Sequence, residues 1–488
     1  MPSATDTDLL RNTNFRWLLG GGLVSMLGDQ FSLLALPWLV LSLTGDSLSL
    51  GIAVALMGAP RAVLILLGGT LADRHSPRRV LLLSKYANTA ILLALAGLLW
   101  LDQASLALAY AAALALGIAV ALMGAPRAVL ILLGGTIADR YSPRRVLLLS
   151  KYANAAILLA LAGLLWLDQA RLALAYAAAL ALGIASAFGI PAGTAILPHA
   201  VPTQTLQKAN GLQMGVRQLS LLAGPLLAAL VLGAHGNGQH TSMAALAAAF
   251  AIDALTFVFS AWTLRQVKLR PLAAAATAQG MWRDMAAGLA MVWRDLPLRS
   301  CYAYWAVVAF FVMGPLQVAL PVLASERLHG APALGLLMGA HGAGTLAGML
   351  SSSLGGTWLR RHFGATLLLA DAIVACLLMA LGQISTAWHG AALLAVTGLL
   401  SGYLQVAIFT WIQRRVAPAM LGRAMALFMG IFLGLAPLSA AATGALLRHL
   451  SVGELFCGGG ALLLAAAVAA ALWTDIPRIA GTPSITSP

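Results

Sequence analysis

Several ionisable side chains of this chain stand inside long apolar stretches, where a charge is costly unless it has a task or a partner. Asp29 lies near the middle of the first apolar stretch, and Asp253 lies within a later one. A carboxyl group in such surroundings is suited to binding and releasing a proton as its access to water changes. Alternatively, each aspartate holds its helix against a neighbour through a hydrogen bond. The sequence leaves both interpretations open.

Two arginines in apolar stretches are candidate partners for these acids. Arg61 follows Pro60 in the second stretch, and Arg127 follows Pro126 in the same sequence context. At 1.5 Å per residue the depths of Asp29 and Arg61 differ by roughly 6 Å, so a side-chain pair is feasible. Because Asp29 has no second copy, we predict that only one of the two arginine-bearing helices occupies the working position. The other arginine must find a different partner or reach toward the interface.

The two arginines belong to a long internal repeat. Residues 51–116 recur as residues 117–182, and the copies differ only at Leu71/Ile137, His75/Tyr141, Thr89/Ala155 and Ser105/Arg171. Each copy holds two apolar stretches separated by a short charged loop. The segment occurs only twice, so we interpret it as one tandem duplication of a helical hairpin and not as a solenoid. The surplus pair of helices is residues 80–136 or, alternatively, residues 105–167.

The elements that must position these residues are helices that cross a membrane. The chain is 61% hydrophobic and 9% charged, which leaves too little polar surface to cover a soluble core of this size. Apolar runs of about 20 residues match the thickness of a bilayer, whereas barrel strands would be shorter and would alternate. We predict an all-α membrane protein with fourteen spans, at about residues 16–43, 48–70, 80–101, 105–136, 146–167, 172–197, 209–234, 241–264, 300–325, 332–354, 365–386, 389–413, 422–447 and 452–474.

The charge pattern predicts the orientation and the division of the chain. The formal net charge is +14, but the basic residues cluster in alternate short loops, which favours a membrane topology over binding to nucleic acid. By the positive-inside rule both termini lie in the cytoplasm. We predict four parts: an N-terminal helical bundle at 1–264 that includes the repeat, a cytoplasmic linker at 265–299, a C-terminal six-helix bundle at 300–475 and a cytoplasmic tail at 476–488.

The charged loop of the repeat has a characteristic spacing of glycine, aspartate and arginines. Its residues are Gly69, Asp73, Arg74, Arg78 and Arg79 in the first copy and Gly135, Asp139, Arg140, Arg144 and Arg145 in the second. An aspartate just before a helix is favoured by the helix dipole, and the arginines are placed to pair with carboxylates or lipid headgroups. Determination of topology by positive charge explains the arginines equally well.

This loop resembles the signature of the major facilitator superfamily. The segments Ser25–Asp29, Pro198–Pro202 and Phe250–Phe257 are similar to the branch of enterobactin exporters and macrolide efflux proteins. The resemblance implies two six-helix bundles, here with an extra transmembrane hairpin in the N-terminal half. It also implies a latch in which Asp73 and Arg74, or their second copies, close the cytoplasmic side.

Two further sites are assigned from the resemblance and from position. Gly224 and Pro225 resemble the antiporter motif of the family's fifth helix. Asp371 lies seven residues after Gly364, so we expect its carboxyl to reach interfacial water. The chain shows no nucleotide-binding loop, nucleophile elbow or metal-ligand cluster. It is therefore not expected to be an enzyme or to bind a cofactor or a metal.

The function predicted from these features is secondary active export of a small amphipathic compound, of drug or siderophore type, by alternating access and proton antiport. The predicted location is a bacterial inner membrane, with membrane lipids, protons and the substrate as partners of a monomer. One alternative is a lipid or lysolipid flippase on the same fold. Another is a variant whose transport is impaired by the repeat.

Overall fold

The computed structural model describes residue 9 and residues 11–67, 143–202, 205–233, 242–268, 289–328, 330–352 and 362–480. All long regular elements within these ranges are helices. The first half of the chain supplies α1 (Thr13–Thr44), α2 (Ser47–Leu67), α3 (Pro143–Trp166), α4 (Leu172–Ala200), α5 (Leu206–Gly233) and α6 (Met243–Gln266). The second half supplies α7 (Leu296–Arg327), α8 (Ala331–Ser351), α9 (Phe363–Leu381), α10 (Ala387–Arg415), α11 (Pro418–Leu446) and α12 (Val452–Trp473).

The described helices match the predicted spans closely. Ten of them are long and apolar enough to cross a membrane. The predicted spans at 80–101 and 105–136 lie outside the described residues, so the count of fourteen stays a prediction. Polar side chains cap several helix starts, as when Asn12 accepts the amide protons of Asn14 and Phe15. Such caps satisfy backbone groups that the first turn leaves without partners.

The first half forms a six-helix arrangement that draws on both copies of the repeat. The second helix, α2, comes from the first copy and packs against α4. The third and fourth helices, α3 and α4, begin in the second copy, and α3 packs against both α4 and α6. Residues 68–142, which separate α2 from α3, lie outside the described residues.

The two halves contact each other mainly through two helix pairs, α2 with α11 and α5 with α8. Glycines allow these helices to approach closely. A Cβ atom on Gly51 of α2 would lie 2.7 Å from the Ala440 carbonyl oxygen and 3.0 Å from the Gly444 Cα of α11. A Cβ on Gly335 of α8 would lie 2.8 Å from the Pro225 carbonyl oxygen of α5. In a membrane the hydrophobic effect does not drive helices together, so their association depends on close van der Waals packing. Small residues in these positions permit that packing.

The packing of the two halves differs between the ends of the bundle. One end of the bundle contains the α1–α2 turn and the start of α8, and we call it the closed end. The opposite end, where α1 begins, is called the split end. At the closed end one apolar core joins residues of both halves, such as Leu39 and Leu50 with Leu323 and Leu334. At the split end the described residues form separate cores for the first and second halves. The described contacts between the halves are thus concentrated at the closed end and reach about the middle of the bundle, where a Cβ on Gly342 of α8 would lie 2.5 Å from the Leu221 carbonyl oxygen of α5.

Helix α7 is interrupted where the sequence predicts one continuous span. A π-helical turn occupies Pro315–Ala319. The Ser439 hydroxyl of α11 enters the gap, donating to the Phe310 carbonyl oxygen and accepting the Gly314 amide proton at 2.8 Å. A side chain inserted into the backbone ladder is an established cause of helix bending. It also ties the bend in α7 to the position of α11.

We expect a chain lacking residues 117–182 to form the same twelve helices, because the remaining copy supplies every element of the repeat that the described fold uses. In detergent its melting temperature should lie within a few degrees of that of the full chain. Thermal unfolding followed by circular dichroism checks this. Loss of folding on deletion would show that the surplus hairpin is part of the first bundle's core.

Candidate functional site

A buried polar cluster lies inside the first half, where α1 and α6 cross. Asp253 of α6 is only 1% exposed, and its carboxylate accepts a hydrogen bond from the Ser32 hydroxyl of α1. Thr256 donates to the Asp253 backbone carbonyl at 2.7 Å and lies 3.4 Å from the Asp253 carboxylate. Along α6, Asp253 is about 15 Å from the helix start and about 20 Å from its end. The carboxyl therefore lies deep in the span.

Close approach of the two helices depends on Gly28 of α1. A Cβ atom at this position would overlap the Thr256 hydroxyl and lie 2.7 Å from Oδ1 of Asp253. The absence of a side chain at Gly28 lets Ser32, one turn further along α1, reach Asp253. Asp29 stands next to Gly28 and is half-buried. It interacts electrostatically with Asp253.

A basic group that the sequence analysis missed completes the cluster. Lys151 of α3 donates to the Ser25 hydroxyl of α1 at 3.3 Å. It interacts electrostatically with both Asp29 and Asp253. Lys151 lies near the start of a predicted span, a position typical of an interfacial lysine. Only the crossing of three helices places it beside the acids.

The arginines proposed as partners for Asp29 are not placed by the structure. Arg61 belongs to the described helix α2, but its side chain lies outside the described residues, and so does the whole of Arg127. The pairing of Asp29 with Arg61 stays a prediction.

Most of the predicted latch also lies outside the described residues: Gly69, Asp73, Arg74, Arg78, Arg79, Gly135, Asp139 and Arg140, together with the side chain of Arg145. The exception is Arg144. Its guanidinium donates to the Arg265 backbone carbonyl at the end of α6. This contact satisfies a carbonyl in the last turn of a helix and lies within the first half, so the latch role of Arg144 stays a prediction.

Gly224 and Pro225 lie between the polar cluster and the second half. A Cβ on Gly224 of α5 would overlap the side chain of Gln30, the neighbour of Asp29 on α1. The Pro225 carbonyl oxygen faces Gly335 of α8. The motif thus holds α5 tightly against α1 on one side and against α8 on the other.

The expectation that Asp371 reaches interfacial water is wrong. The residue is only 5% exposed, within a helix that packs against α12 and α10. Its carboxyl interacts with the hydroxyl of Tyr304 of α7, which is also 5% exposed. Distance along the chain from the Gly364 turn did not reveal that neighbouring helices cover this position.

An ion pair joins the two halves at the closed end. The Arg448 guanidinium, beyond the end of α11, donates to the Asp46 carboxylate of the α1–α2 turn, with Nε and Oδ1 3.1 Å apart. Asp46 also accepts the amide and hydroxyl protons of Ser49, at 2.9 Å and 2.7 Å. Burial acts to raise the pKa of Asp46, but the hydrogen bonds from Arg448 and Ser49 outweigh it and lower the pKa below its ordinary value of 3.8.

Two packed helical halves, joined at one end and enclosing buried carboxyls, define a multi-pass membrane transporter and not an enzyme. Residues 86–441 match the family model described as Major Facilitator Superfamily. The chain belongs to this superfamily.

The curated relatives of this chain include an uncharacterized MFS-type transporter, y4rN, of Sinorhizobium fredii, 26% identical over 349 residues that cover 70% of this chain and 82% of the relative. Macrolide efflux protein A of Streptococcus pyogenes is 23% identical, covering 61% and 71%. The enterobactin exporter EntS of Escherichia coli is 24% identical, covering 62% and 69%. The crystal structure of the nucleoside transporter NupG superposes with a TM-score of 0.61 at 11% identity, covering 93% of this chain and 98% of NupG.

Substitution of Gly28 tests the helix crossing. We expect Gly28→Ala to destabilise the protein by about 1–3 kcal/mol, because the added methyl group forces α1 away from α6. Gly22→Ala is the matched control on the same helix, since a Cβ there meets nothing within 4 Å. Thermal unfolding in detergent measures both. Equal melting temperatures for the two variants would contradict the crossing.

Removal of the Asp46–Arg448 pair should loosen the closed end only modestly. The side chains of Arg448 and Asp46 are 45% and 24% exposed, and a partly exposed pair contributes about 0.2–1 kcal/mol. We expect Asp46→Asn, Arg448→Gln and the double variant each to raise maleimide labelling of a cysteine at Ser47 about two- to fivefold. The reporter is placed in a protein without native cysteines. If the increase in labelling of the double variant equals the combined increases of the two single variants, Asp46 and Arg448 do not form a direct pair.

The pH dependence of this pair has a definite sign. Because the pKa of Asp46 is lowered in the closed state, the stabilisation is complete above its ordinary value of 3.8 and is lost only as the pH falls through the lowered value. Labelling at Ser47 should therefore be unaffected by this pair between pH 8 and pH 5.

Proposed function

We propose that the chain is a secondary active transporter that exports a small amphipathic compound, of drug or siderophore type, across a bacterial inner membrane. Transport proceeds by alternating access and is driven by proton influx. The observation that carries the proposal is the Asp29–Asp253 cluster, deep in the span of a bundle whose described halves share one core at the closed end and have separate cores at the split end. The names of two relatives, a macrolide efflux protein and an enterobactin exporter, favour the direction of export.

The distribution of basic residues supports an orientation. Near the closed end the described lysines and arginines are Arg171, Arg327 and Arg448. Many more stand near the split end: Arg11, Arg16, Arg144, Arg145, Lys208, Arg265, Lys268, Arg294, Arg299, Arg414, Arg415, Arg423 and Arg478. By the positive-inside rule the split end, with both termini, faces the cytoplasm. The described conformation is then open inward.

Proton coupling follows from the position of the cluster. In the outward-open state Asp29, with Asp253 behind it, takes up a proton from the external side. In the inward-open state the carboxyls release it to the cytoplasm through the split end. Ser32 and Thr256 keep Asp253 hydrogen-bonded throughout, which lowers the cost of a buried carboxylate. Gly224 and Pro225 pass the change in α1 to α8 of the second half.

Uptake into everted vesicles tests this proposal. Wild-type vesicles should accumulate a macrolide, a siderophore or an amphipathic dye, and collapse of the pH gradient should abolish the accumulation. Asp29→Asn and Asp253→Asn should reduce gradient-driven uptake at least tenfold while leaving binding of the same compound measurable. Asp475→Asn, at an exposed position beyond α12, is the matched control and should transport normally.

Two outcomes would contradict the proposal in different ways. Accumulation that survives collapse of the pH gradient in the wild type would exclude proton antiport. A proton-insensitive Asp29→Asn variant that still moves lysolipid between leaflets would favour the flippase.

A further inference from the structure

Lys151 reaches the two carboxyls from a third helix. Its Nζ lies 3.3 Å from the Ser25 hydroxyl oxygen and 5.6 Å from the centre of the Phe257 ring. Ser25 precedes Asp29 by one helical turn on α1, and Phe257 follows Asp253 by one turn on α6. The ammonium therefore lies roughly 6 Å nearer the split end than the carboxyls. It stands between the acids and the end through which the proton leaves.

The other charged groups on the helices around the cluster are placed differently. Arg217 of α5 is exposed, and His199 and Arg265 stand at the split ends of α4 and α6. Arg16 lies in the first turn of α1, about two and a half turns before Ser25. The Arg61 side chain of α2 lies outside the described residues. The charges described within the cluster are thus two carboxyls and one ammonium.

The charge balance of such a cluster sets its proton capacity. Two carboxylates and one ammonium leave one negative charge in excess, which a single proton neutralises. Protonation of both carboxyls would leave the ammonium as an unpaired positive charge in the span. Ionisation of both carboxyls would leave one unpaired negative charge. Both are costly in low dielectric. One carboxyl of the pair therefore has a permanent counter-ion, and the other exchanges its proton.

We propose that Lys151 is the permanent counter-ion of the proton site, that it limits the site to one exchangeable proton, and that the second copy of the repeat supplies the working third helix. Lys151 is a positioning residue in this proposal. It acts through Asp29 and Asp253, and the inference rests on the proposed function of these two acids.

The repeat supplies a control with the same local sequence. Residues 81–88 and 147–154 read identically, with Lys85 in the first copy where Lys151 stands in the second. If the second copy supplies the third helix, only the Lys151 substitution changes the proton site. Comparing Lys151→Gln with Lys85→Gln shows whether a change in the proton site depends on where the lysine lies in the fold or only on removing a lysine from this local sequence.

Infrared titration of the purified full-length protein in nanodiscs tests the counter-ion directly, without substrate. The wild type should show a protonated-carboxyl band that titrates with pH, and one component of it should be lost in Asp29→Asn or Asp253→Asn while the contribution of the buried Asp371 remains. Lys151→Gln should shift the midpoint by about one to two pH units toward alkaline pH, because the ammonium no longer favours the ionised carboxylates. Lys151→Arg should keep the midpoint within roughly half a pH unit because the positive charge is retained, and Lys85→Gln should do the same because Lys85 is not part of the site.

A stability cycle covers the case in which Lys151→Gln folds poorly. Lys151→Gln alone leaves the carboxylates without their counter-ion, so its melting temperature should fall. The double variant Lys151→Gln/Asp253→Asn should recover part of that loss, because one buried negative charge is gone. Strictly additive losses would overturn the proposal.

The remaining outcomes separate this inference from the function on which it rests. An unchanged midpoint in Lys151→Gln, or an equal shift in Lys85→Gln, overturns the counter-ion assignment while proton antiport stands. A titrating carboxyl band that is identical in the wild type, Asp29→Asn and Asp253→Asn, together with uptake that ignores the pH gradient, overturns the proposed function itself.

Discussion

The cost of a charge inside an apolar span governs the arrangement of the first bundle. Asp253 is tolerated because hydroxyl groups on two helices and an ammonium from a third surround it. Ser32 reaches it because Gly28 lets α1 and α6 lie close together. This hydrogen bond and the glycine crossing therefore depend on each other. Separating α1 from α6 would remove the hydrogen bond from Ser32, and its loss would raise the cost of the buried carboxylate.

The same use of small residues explains how the halves pack against each other at the closed end. Gly51, Gly335 and Gly444 bring helices of opposite halves into contact there. At the split end the aromatic residues of the second half, such as Trp305 and Trp411, pack among themselves and form a separate core. Among the described residues, the packing between the halves is therefore concentrated toward the closed end. Packed interfaces of this kind can adopt two discrete arrangements.

Much of the fold was predictable from the sequence, because span length and apolar composition are local properties. The bounds of α1, α6 and α12 fall within a few residues of the predicted spans. The break in α7 was not predictable, since it depends on the insertion of Ser439 from a distant helix. The two acids of the site were recognised from their cost in an apolar span. Lys151 and Tyr304 were missed, because their depth and partners follow from helix crossings that periodicity does not encode.

Chain connectivity settles which copy of the repeat serves each described helix. Gly45, in a left-handed conformation with φ of 60°, turns α1 directly into α2, so the first copy supplies α2. The tight turn after Trp166 ties α3 to α4, so both begin in the second copy. Helix α2 ends at the split end and α3 begins there, so the described helices that follow have the orientation that the charge pattern predicts.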